Sequence, residues 1–397
     1  MAERPADPSG AAGGYPGAPL EESSVADLPA DERLPRQSRL ARPLDALVRG
    51  VGPVLLALVA GGILLLALGR NPVIFYANIY QGGITQEAWQ DSAMRMAPLL
   101  LIAGGLIVVF RANIWNLGYQ GQFLLAGAMI AGFGPRMETR LPYWLTLTLL
   151  FMIAGVVGAS WTVIPALLKA YYQVNEIITT LMMSFIGISV ANILIKGPFQ
   201  DFSSNVPQTS VLPVSGMLPN IPHTRIHVGI LVALGTILIV HYVLTRTSFG
   251  LRLQVLGASP RAAVHAGVGV KRLIITAFLI SGALVGMAAA AEVLGIEGYV
   301  RADWNPAFGD AVIPFVFLAR LNALAVIPFV GFYSILAIGG EYATQQAQLP
   351  TDFLLVIVGL ILLFMTVTEY VGRKRALGSS YLTPGLAHAL RRRTENA

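Results

Sequence analysis

The sequence contains no cysteine and few charged residues. Of its 397 residues, only 12% are Asp, Glu, Lys or Arg, roughly half the charged fraction of an average soluble domain. The absence of cysteine excludes disulfides, thiol catalysis and cysteine-ligated metal sites. Combined with a hydrophobic content of 55%, the low charge argues against a soluble globular protein. It predicts an all-α polytopic membrane protein.

Catalytic and nucleotide-binding motifs are missing too. The chain has no G-x-x-x-x-G-K-[ST], no H-E-x-x-H and no G-x-S-x-G, and its five histidines do not follow a zinc-site spacing. The net charge of +6 is modest and lacks the aromatic-plus-basic grouping of a nucleic-acid surface. We therefore predict no ATP site, no enzyme activity, no cofactor or metal, and no nucleic-acid partner.

Long apolar runs account for most of the chain, and about ten of them predict membrane crossings. The segment at 309–320 is too short to span unaided and predicts a partial or re-entrant helix. With a cytoplasmic N-terminus, the inner segments carry more Lys and Arg than the outer ones, which places both termini inside. The predicted spans are 51–69, 96–110, 114–134, 143–168, 176–195, 227–245, 273–294, 309–320, 322–340 and 353–371.

The two ends of the chain differ in composition from the apolar region. Residues 1–50 are rich in Ala, Pro, Gly and acidic side chains, which predicts a disordered cytoplasmic tail. Residues 51–372 form the predicted transmembrane domain. Residues 373–397 form a basic cytoplasmic tail, and basic residues there are suited to contact with anionic membrane lipid.

Polar side chains at membrane depth are the candidates for a solute pathway, because each is costly in hydrocarbon and should face a cavity or the bundle interior. Asn113, Asn116 and Gln120 lie at the predicted start of the third run. Glu292 and Asp310 lie toward the outer face, where we expect them to contact the passing solute or the protein that delivers it. For Glu292, which has no partner nearby in the sequence, a structural role is the alternative.

The stretch Thr247–Arg272 is basic and contains no acidic residue. Ser and Pro at its centre predict a helix start, followed by two turns that end at a glycine. Such a short helix on the inner side predicts a docking element for a cytosolic partner, and an ordinary basic loop is the alternative. The residues predicted to form the docking element are Gly257, Ser259, Pro260, Arg261, Ala262, Ala263 and Gly267.

Several stretches together resemble one family. They include F-R-A-N-I-W-N-L-G-Y-Q-G-Q at 110–122, P-A-L-L-K-A-Y-Y-Q-V-N-E-I-I-T-T-L-M-M at 165–183, and L-G-A-S-P-R-A-A-V-H-A-G-V at 256–268. The chain resembles a permease subunit of the bacterial simple-sugar and nucleoside ABC importers. Familiar members often have Glu where this chain has Gln120. The stretch at 165–183 is similar to the nucleoside branch.

The resemblance implies a type II ABC importer permease bundle of about ten helices in the bacterial inner membrane, with a coupling loop at 246–272. It also implies a cytosolic ATPase subunit, a second permease subunit that is identical or homologous, and an extracytoplasmic solute-binding protein. The expected function is the pathway for a nucleoside or simple sugar. The alternatives are a stand-alone secondary transporter or channel, for which the sequence offers no clear set of coupling residues, and a membrane scaffold without transport.

Overall fold

The computed structural model describes residues 41–85, 87–350 and 353–376. The predicted tails therefore lie outside the described residues over 1–40 and 377–397. Residues 41–46 belong to a unit separate from the rest of the described chain. The fold below is that of the main unit.

The described part of the chain contains fourteen α-helices, and its few β-bridges are isolated ones outside any strand. A 3₁₀ turn at Val214–Gly216 lies in the connection between the seventh and eighth α-helices, and a π-helical turn at Val293–Glu297 directly follows the eleventh. The helices are α1 Ala41–Ala67, α2 Pro72–Gly83, α3 Ala88–Arg111, α4 Tyr119–Glu138, α5 Tyr143–Trp161, α6 Val163–Tyr172, α7 Glu176–Lys196, α8 Gly229–Arg246, α9 Ser248–Ala258, α10 Pro260–His265, α11 Val270–Glu292, α12 Phe308–Leu318, α13 Val326–Gln346 and α14 Phe353–Ala376.

Six helical segments of the described chain are long and apolar enough to cross a membrane. Three shorter apolar helices, at 51–67, 308–318 and 353–368, accompany them. Length and composition thus support fewer crossings than the ten predicted. The six segments are Ala88–Arg111, Tyr143–Tyr172, Glu176–Lys196, Gly229–Arg246, Val270–Glu297 and Val326–Gln346.

α4 begins later than predicted because the chain between α3 and α4 is not helical. The predicted run starts at 114, whereas α4 starts at Tyr119. Asn113 has a φ of 56°, a left-handed conformation that ends α3. Asn116 then accepts a hydrogen bond from the backbone N–H of Gly118 at 3.1 Å, a local pairing that competes with helix formation. Both asparagines therefore lie in a connection, and the prediction that they start a helix is wrong.

α11 lies at the centre of the bundle and packs along α3 and α5. A Cβ atom on Gly158 of α5 would overlap the carbonyl oxygen of Gly282 in α11, and one on Gly286 would overlap the carbonyl oxygen of Ala154. The two helix backbones are therefore in direct contact, which only small residues permit.

The connection between α7 and α8, residues 197–228, folds over one end of the bundle. The N–H of Thr209 donates to the carbonyl of Val300 at 3.0 Å, and the N–H of Leu212 donates to the carbonyl of Gly298 at 2.8 Å. These bonds tie the connection to the segment that follows α11. The connection is therefore held against this part of the bundle.

Candidate functional site

A polar cluster joins the first turn of α4 to the first turn of α12. The hydroxyl of Tyr119 donates to Oδ1 of Asp310, and the side-chain amide of Gln120 donates to Oδ2 of the same carboxylate. Tyr119 is buried, Gln120 is half-buried and Asp310 is exposed. The structure thus brings together two of the predicted pathway residues, Gln120 and Asp310, and adds a tyrosine.

This polar cluster lies within the depth of the membrane-spanning helices. Gly121 directly follows Tyr119 and Gln120 in α4. It packs against Ser184, and its N–H donates to the Ser184 hydroxyl at 3.1 Å. Ser184 is well inside α7, one of the helices long enough to span. Hydrocarbon cannot solvate a carboxylate. The exposed side of Asp310 therefore has to face water or another protein surface.

Asn116 belongs to a different, buried hydrogen-bond network. Its Nδ2 donates to Oε1 of Gln122 at 3.2 Å and to Oγ of Ser281 at 3.0 Å, and Nε2 of Gln122 donates back to Oδ1 of Asn116 at 3.0 Å. All three side chains are buried. Satisfied internal bonds of this kind hold the α3–α4 connection to α11. Asn116 therefore lies in the framework and does not line an open surface.

Glu292 is fully buried and ion-paired, contrary to the expectation that it lacks a partner. Its Oε1 lies 2.6 Å from Nη1 of Arg95 on α3. The Arg95 guanidinium also lies 5.2 Å from the centre of the Phe308 ring, a cation–π arrangement. Buried charges in proteins are paired in this way because an isolated charge is too costly. Of the two outer carboxylates, only Asp310 is exposed.

The predicted docking element forms a pair of short helices, α9 and α10. The Ser259 side chain accepts a hydrogen bond from the N–H of Ala262 at 3.2 Å, and Pro260 occupies the first helical position. The predicted N-cap is therefore confirmed. Gly267 has a φ of 71°, which confirms the predicted sharp exit from the helix. Arg261 and Ala262 are exposed.

Two of the predicted docking residues instead pack inside the chain. Ala263 is fully buried, so it faces the bundle and not a partner. Gly257 lies within α9. A Cβ atom there would overlap the carbonyl oxygen of Arg111, at the end of α3. The reason for glycine at this position is close helix packing, because α9 rests on the last residue of α3. Asn113, exposed, lies two residues beyond that contact.

The sequence did not predict one residue of the polar cluster and two residues of the short helices α9 and α10. Tyr119 gave no signal, since its partner lies 191 residues further along the chain. On the docking element, Leu251 is 63% exposed and Val264 is 62% exposed. Their signal was a large apolar side chain on each short amphipathic helix, beside exposed arginines. α9 and α10 thus present apolar as well as basic surface.

Comparisons with known proteins agree with this arrangement. Residues 90–366 match the sequence model of the family described as branched-chain amino acid transport system / permease component. The glucose ABC transporter permease protein of Haloferax volcanii is 31% identical over 334 residues, which covers 81% of this chain and 87% of that protein. The guanosine ABC transporter permease protein of Bacillus subtilis is 27% identical, with 83% of this chain and 94% of that protein covered.

A third relative, the nucleoside ABC transporter permease protein of Lactococcus lactis subsp. cremoris, is 24% identical over 336 residues, covering 82% of this chain and 90% of that protein. The family match extends from α3 to α14, so it includes the polar cluster and both short helices. The apolar helices and the family together identify a multi-pass membrane protein. The chain therefore belongs to the branched-chain amino acid transport system / permease component family.

Proposed function

We propose that this permease forms the pathway for a nucleoside or simple sugar, which an extracytoplasmic binding protein delivers and a separate cytosolic ATPase drives across the membrane. The observation that carries the proposal is the exposed Asp310 carboxylate at membrane depth, held by Tyr119 and Gln120. A carboxylate, an amide and a phenol together can accept from and donate to the hydroxyl groups of a neutral polar solute.

The partners follow from the surfaces that a single chain leaves open. The exposed face of Asp310 is unsuited to lipid, so we propose that a second permease subunit, identical or homologous, faces it across a water-filled pathway. The family itself implies an ATPase and a binding protein. We assign the ATPase to α9 and α10, where Arg252 and Arg261 are exposed beside Leu251 and Val264.

The solute class is supported by the relatives, which are permeases of glucose, guanosine and nucleoside transporters. The solutes in these names are all rich in hydroxyl groups and uncharged. We further propose a complex in the bacterial inner membrane, with both termini cytoplasmic and about ten membrane-embedded helices per chain. The shorter apolar helices at 51–67, 308–318 and 353–368 would supply part of that number.

Reconstitution of the whole complex in proteoliposomes tests the proposal. We expect ATP-dependent uptake of labelled guanosine or glucose that requires both the ATPase and the binding protein. Uptake that runs on an ion gradient without the ATPase would favour the secondary transporter. Absence of any uptake from a panel of nucleosides and sugars would contradict the proposed solute class.

The assignment of the ATPase surface has its own test. Ala262→Trp adds a large side chain to an exposed position of α10 and should abolish ATPase co-purification without loss of the permease from the membrane. Arg261→Ala should be milder, because an exposed ion pair at an interface rim is worth about 1 kcal/mol or less. Val214→Trp, at an exposed site on the α7–α8 connection, is the matched control. Normal ATPase binding by Ala262→Trp would show that this stretch is an ordinary basic loop.

A further inference from the structure

Three aromatic rings from separate segments contact one another near the inner end of the bundle. Phe110 lies one residue before the end of α3, Trp115 lies in the α3–α4 connection, and Phe317 lies one residue before the end of α12. The ring centres of Phe110 and Phe317 are 5.1 Å apart and stacked, those of Phe110 and Trp115 are 4.9 Å apart, and those of Trp115 and Phe317 are 5.7 Å apart. We call these three side chains the aromatic cluster.

The aromatic cluster lies next to the polar cluster, on the same helix face. Asp310 and Phe317 are seven residues apart on α12, which places them on one face with a rise of about 10 Å between them. Trp115 precedes Tyr119 by four residues. The polar and aromatic clusters therefore form consecutive layers between α12 and the α3–α4 connection, with the aromatic layer nearer the end of α3.

Partial exposure distinguishes this cluster from ordinary core packing. Trp115 and Phe317 are half-buried, whereas Phe315, two residues away on α12, is fully buried against α13. The face of α12 that carries Asp310 and Phe317 is thus the one that is not sealed inside the chain. A layer of contacting rings on such a face resists the passage of water and polar solutes.

The aromatic cluster is also in direct reach of the docking element. Phe110 is adjacent in the chain to Arg111. The carbonyl oxygen of Arg111 packs so closely against Gly257 of α9 that a Cβ atom on Gly257 would overlap it. Leu253 and Leu256 of α9 are buried as well. Because close-packed backbones transmit displacement, a movement of α9 has to move the end of α3 and with it Phe110.

We propose that Phe110, Trp115 and Phe317 close the inner end of the solute pathway, and that the contact of Gly257 with Arg111 links this closure to the ATPase. The proposal rests on the proposed function, since it requires a pathway along the Asp310 face. It assigns positioning roles to residues that do not themselves bind the solute. In the described conformation the three rings are in contact with one another, and we take this arrangement as the closed one.

The absence of native cysteine allows a direct test by thiol labelling. Gln120→Cys places a single thiol in the polar cluster of the assembled complex, ATPase included. A membrane-impermeant methanethiosulfonate reagent is then applied to right-side-out or inside-out membrane vesicles without nucleotide. We expect labelling from the outer side and protection from the inner side. Rapid inner-side labelling of this protein would overturn the closure.

Truncation of a ring should open the inner end. Phe317→Ala or Trp115→Ala, each combined with Gln120→Cys, should raise inner-side labelling several-fold while outer-side labelling stays unchanged. Phe317→Leu retains apolar volume without a ring and should give a smaller rise if the alanine variant fails to assemble. Phe315→Ala is the matched control on the same helix. No rise in any ring variant, or an equal rise in Phe315→Ala, contradicts the proposal.

The link to α9 is tested with nucleotide. ATP should change inner-side labelling of the Gln120→Cys complex, and Gly257→Ala should remove that change while the ATPase stays bound. Gly269→Ala is the control, because a Cβ atom there meets nothing within 4 Å. A normal response in Gly257→Ala, or loss of ATPase binding by it alone, would overturn the link. Solute uptake by the unmutated complex, measured in the same vesicles, separates failure of the closure from failure of the proposed function.

Discussion

The carboxylates of Glu292 and Asp310 show how differently one chain can treat two acidic residues near the same end of its bundle. Glu292 is fully buried, and its charge is balanced by Arg95 at 2.6 Å. Asp310 is exposed and is held by two neutral donors, Tyr119 and Gln120. The first arrangement pairs a charge inside the chain, and the second leaves hydrogen-bonding capacity open toward the outside of the chain.

This difference distinguishes an acidic residue with a structural role from one that is available to a solute. A buried carboxylate with its own cation is a fixed part of the framework, because the removal of either partner leaves an uncompensated charge. An exposed carboxylate held only by neutral groups can exchange part of its bonding with a solute or with water. Two properties therefore decide which acid is a candidate pathway residue: its exposure, and whether its hydrogen-bonding partners are charged. Depth in the bundle matters less.

The largest effect is expected from breaking the buried pair. Arg95→Met should destabilise the permease by about 3–5 kcal/mol, because Glu292 then remains buried without a cation. Thermal unfolding in detergent measures this loss, with Arg301→Met, at an exposed site, as the control. The double variant Arg95→Met/Glu292→Gln should recover most of the stability. Equal stability of Arg95→Met and Arg301→Met would show that the pair is not a framework element.

A smaller effect, on transport and not on stability, is expected at the exposed carboxylate. Asp310→Asn should retain the unfolding temperature but reduce solute uptake by about tenfold, since a hydrogen bond to a charged group contributes roughly 1.5–3 kcal/mol. Uptake in proteoliposomes measures this, with Asp303→Asn, another exposed acid on the outer side, as the control. Unchanged uptake would remove Asp310 from the pathway.

His227 extends the comparison to a buried group without an opposite charge, outside the membrane-spanning helices. It is fully buried before α8 and accepts a hydrogen bond from the N–H of Gly229 at 3.1 Å. Burial lowers the pKa of His227 from 6.5 to about 4. Between those two pH values the unfolded chain binds a proton that the folded chain does not, so acidification favours unfolding.

We expect the free energy of unfolding to fall by on the order of 2 kcal/mol as the pH drops from about 6.5 to about 4. Unfolding measured across this range in the wild type and in His227→Gln isolates the contribution, because the other titrating groups are common to both. His223→Gln, at an exposed histidine, is the control for the removal of an imidazole. Parallel pH curves for the wild type and His227→Gln would mean that burial does not suppress protonation of this side chain.

The smallest effect is expected at an exposed ion pair on the outer side. Nζ of Lys196 lies 3.0 Å from Oδ2 of Asp303, with both side chains largely exposed. Lys196→Ala should change the free energy of unfolding by about 0.5 kcal/mol or less, because solvent screens such pairs. A loss comparable to that of Arg95→Met would remove the contrast between buried and exposed pairs on which the first prediction depends.

Much of the fold was predictable from local sequence. Runs of apolar residues predicted helices at most of the observed positions, because membrane helices satisfy their backbone groups within each segment. Ser259 and Pro260 predicted the start of α10, since capping involves only neighbouring residues. The boundary of α4 was not predictable in the same way, because it depends on the side-chain bonding of Asn116.

By itself, then, the sequence determined the apolar helices, the capped basic helix and the membership of a permease family. The tertiary structure alone decided which polar residues meet. Arg95 and Glu292 are 197 residues apart, and Tyr119 and Asp310 are 191 apart. Periodicity and capping reflect contacts between near neighbours in the chain, whereas the packing of α3, α4, α11 and α12 brings distant residues together. For that reason Glu292 and Asp310 looked equivalent in the sequence and are opposite in the folded chain.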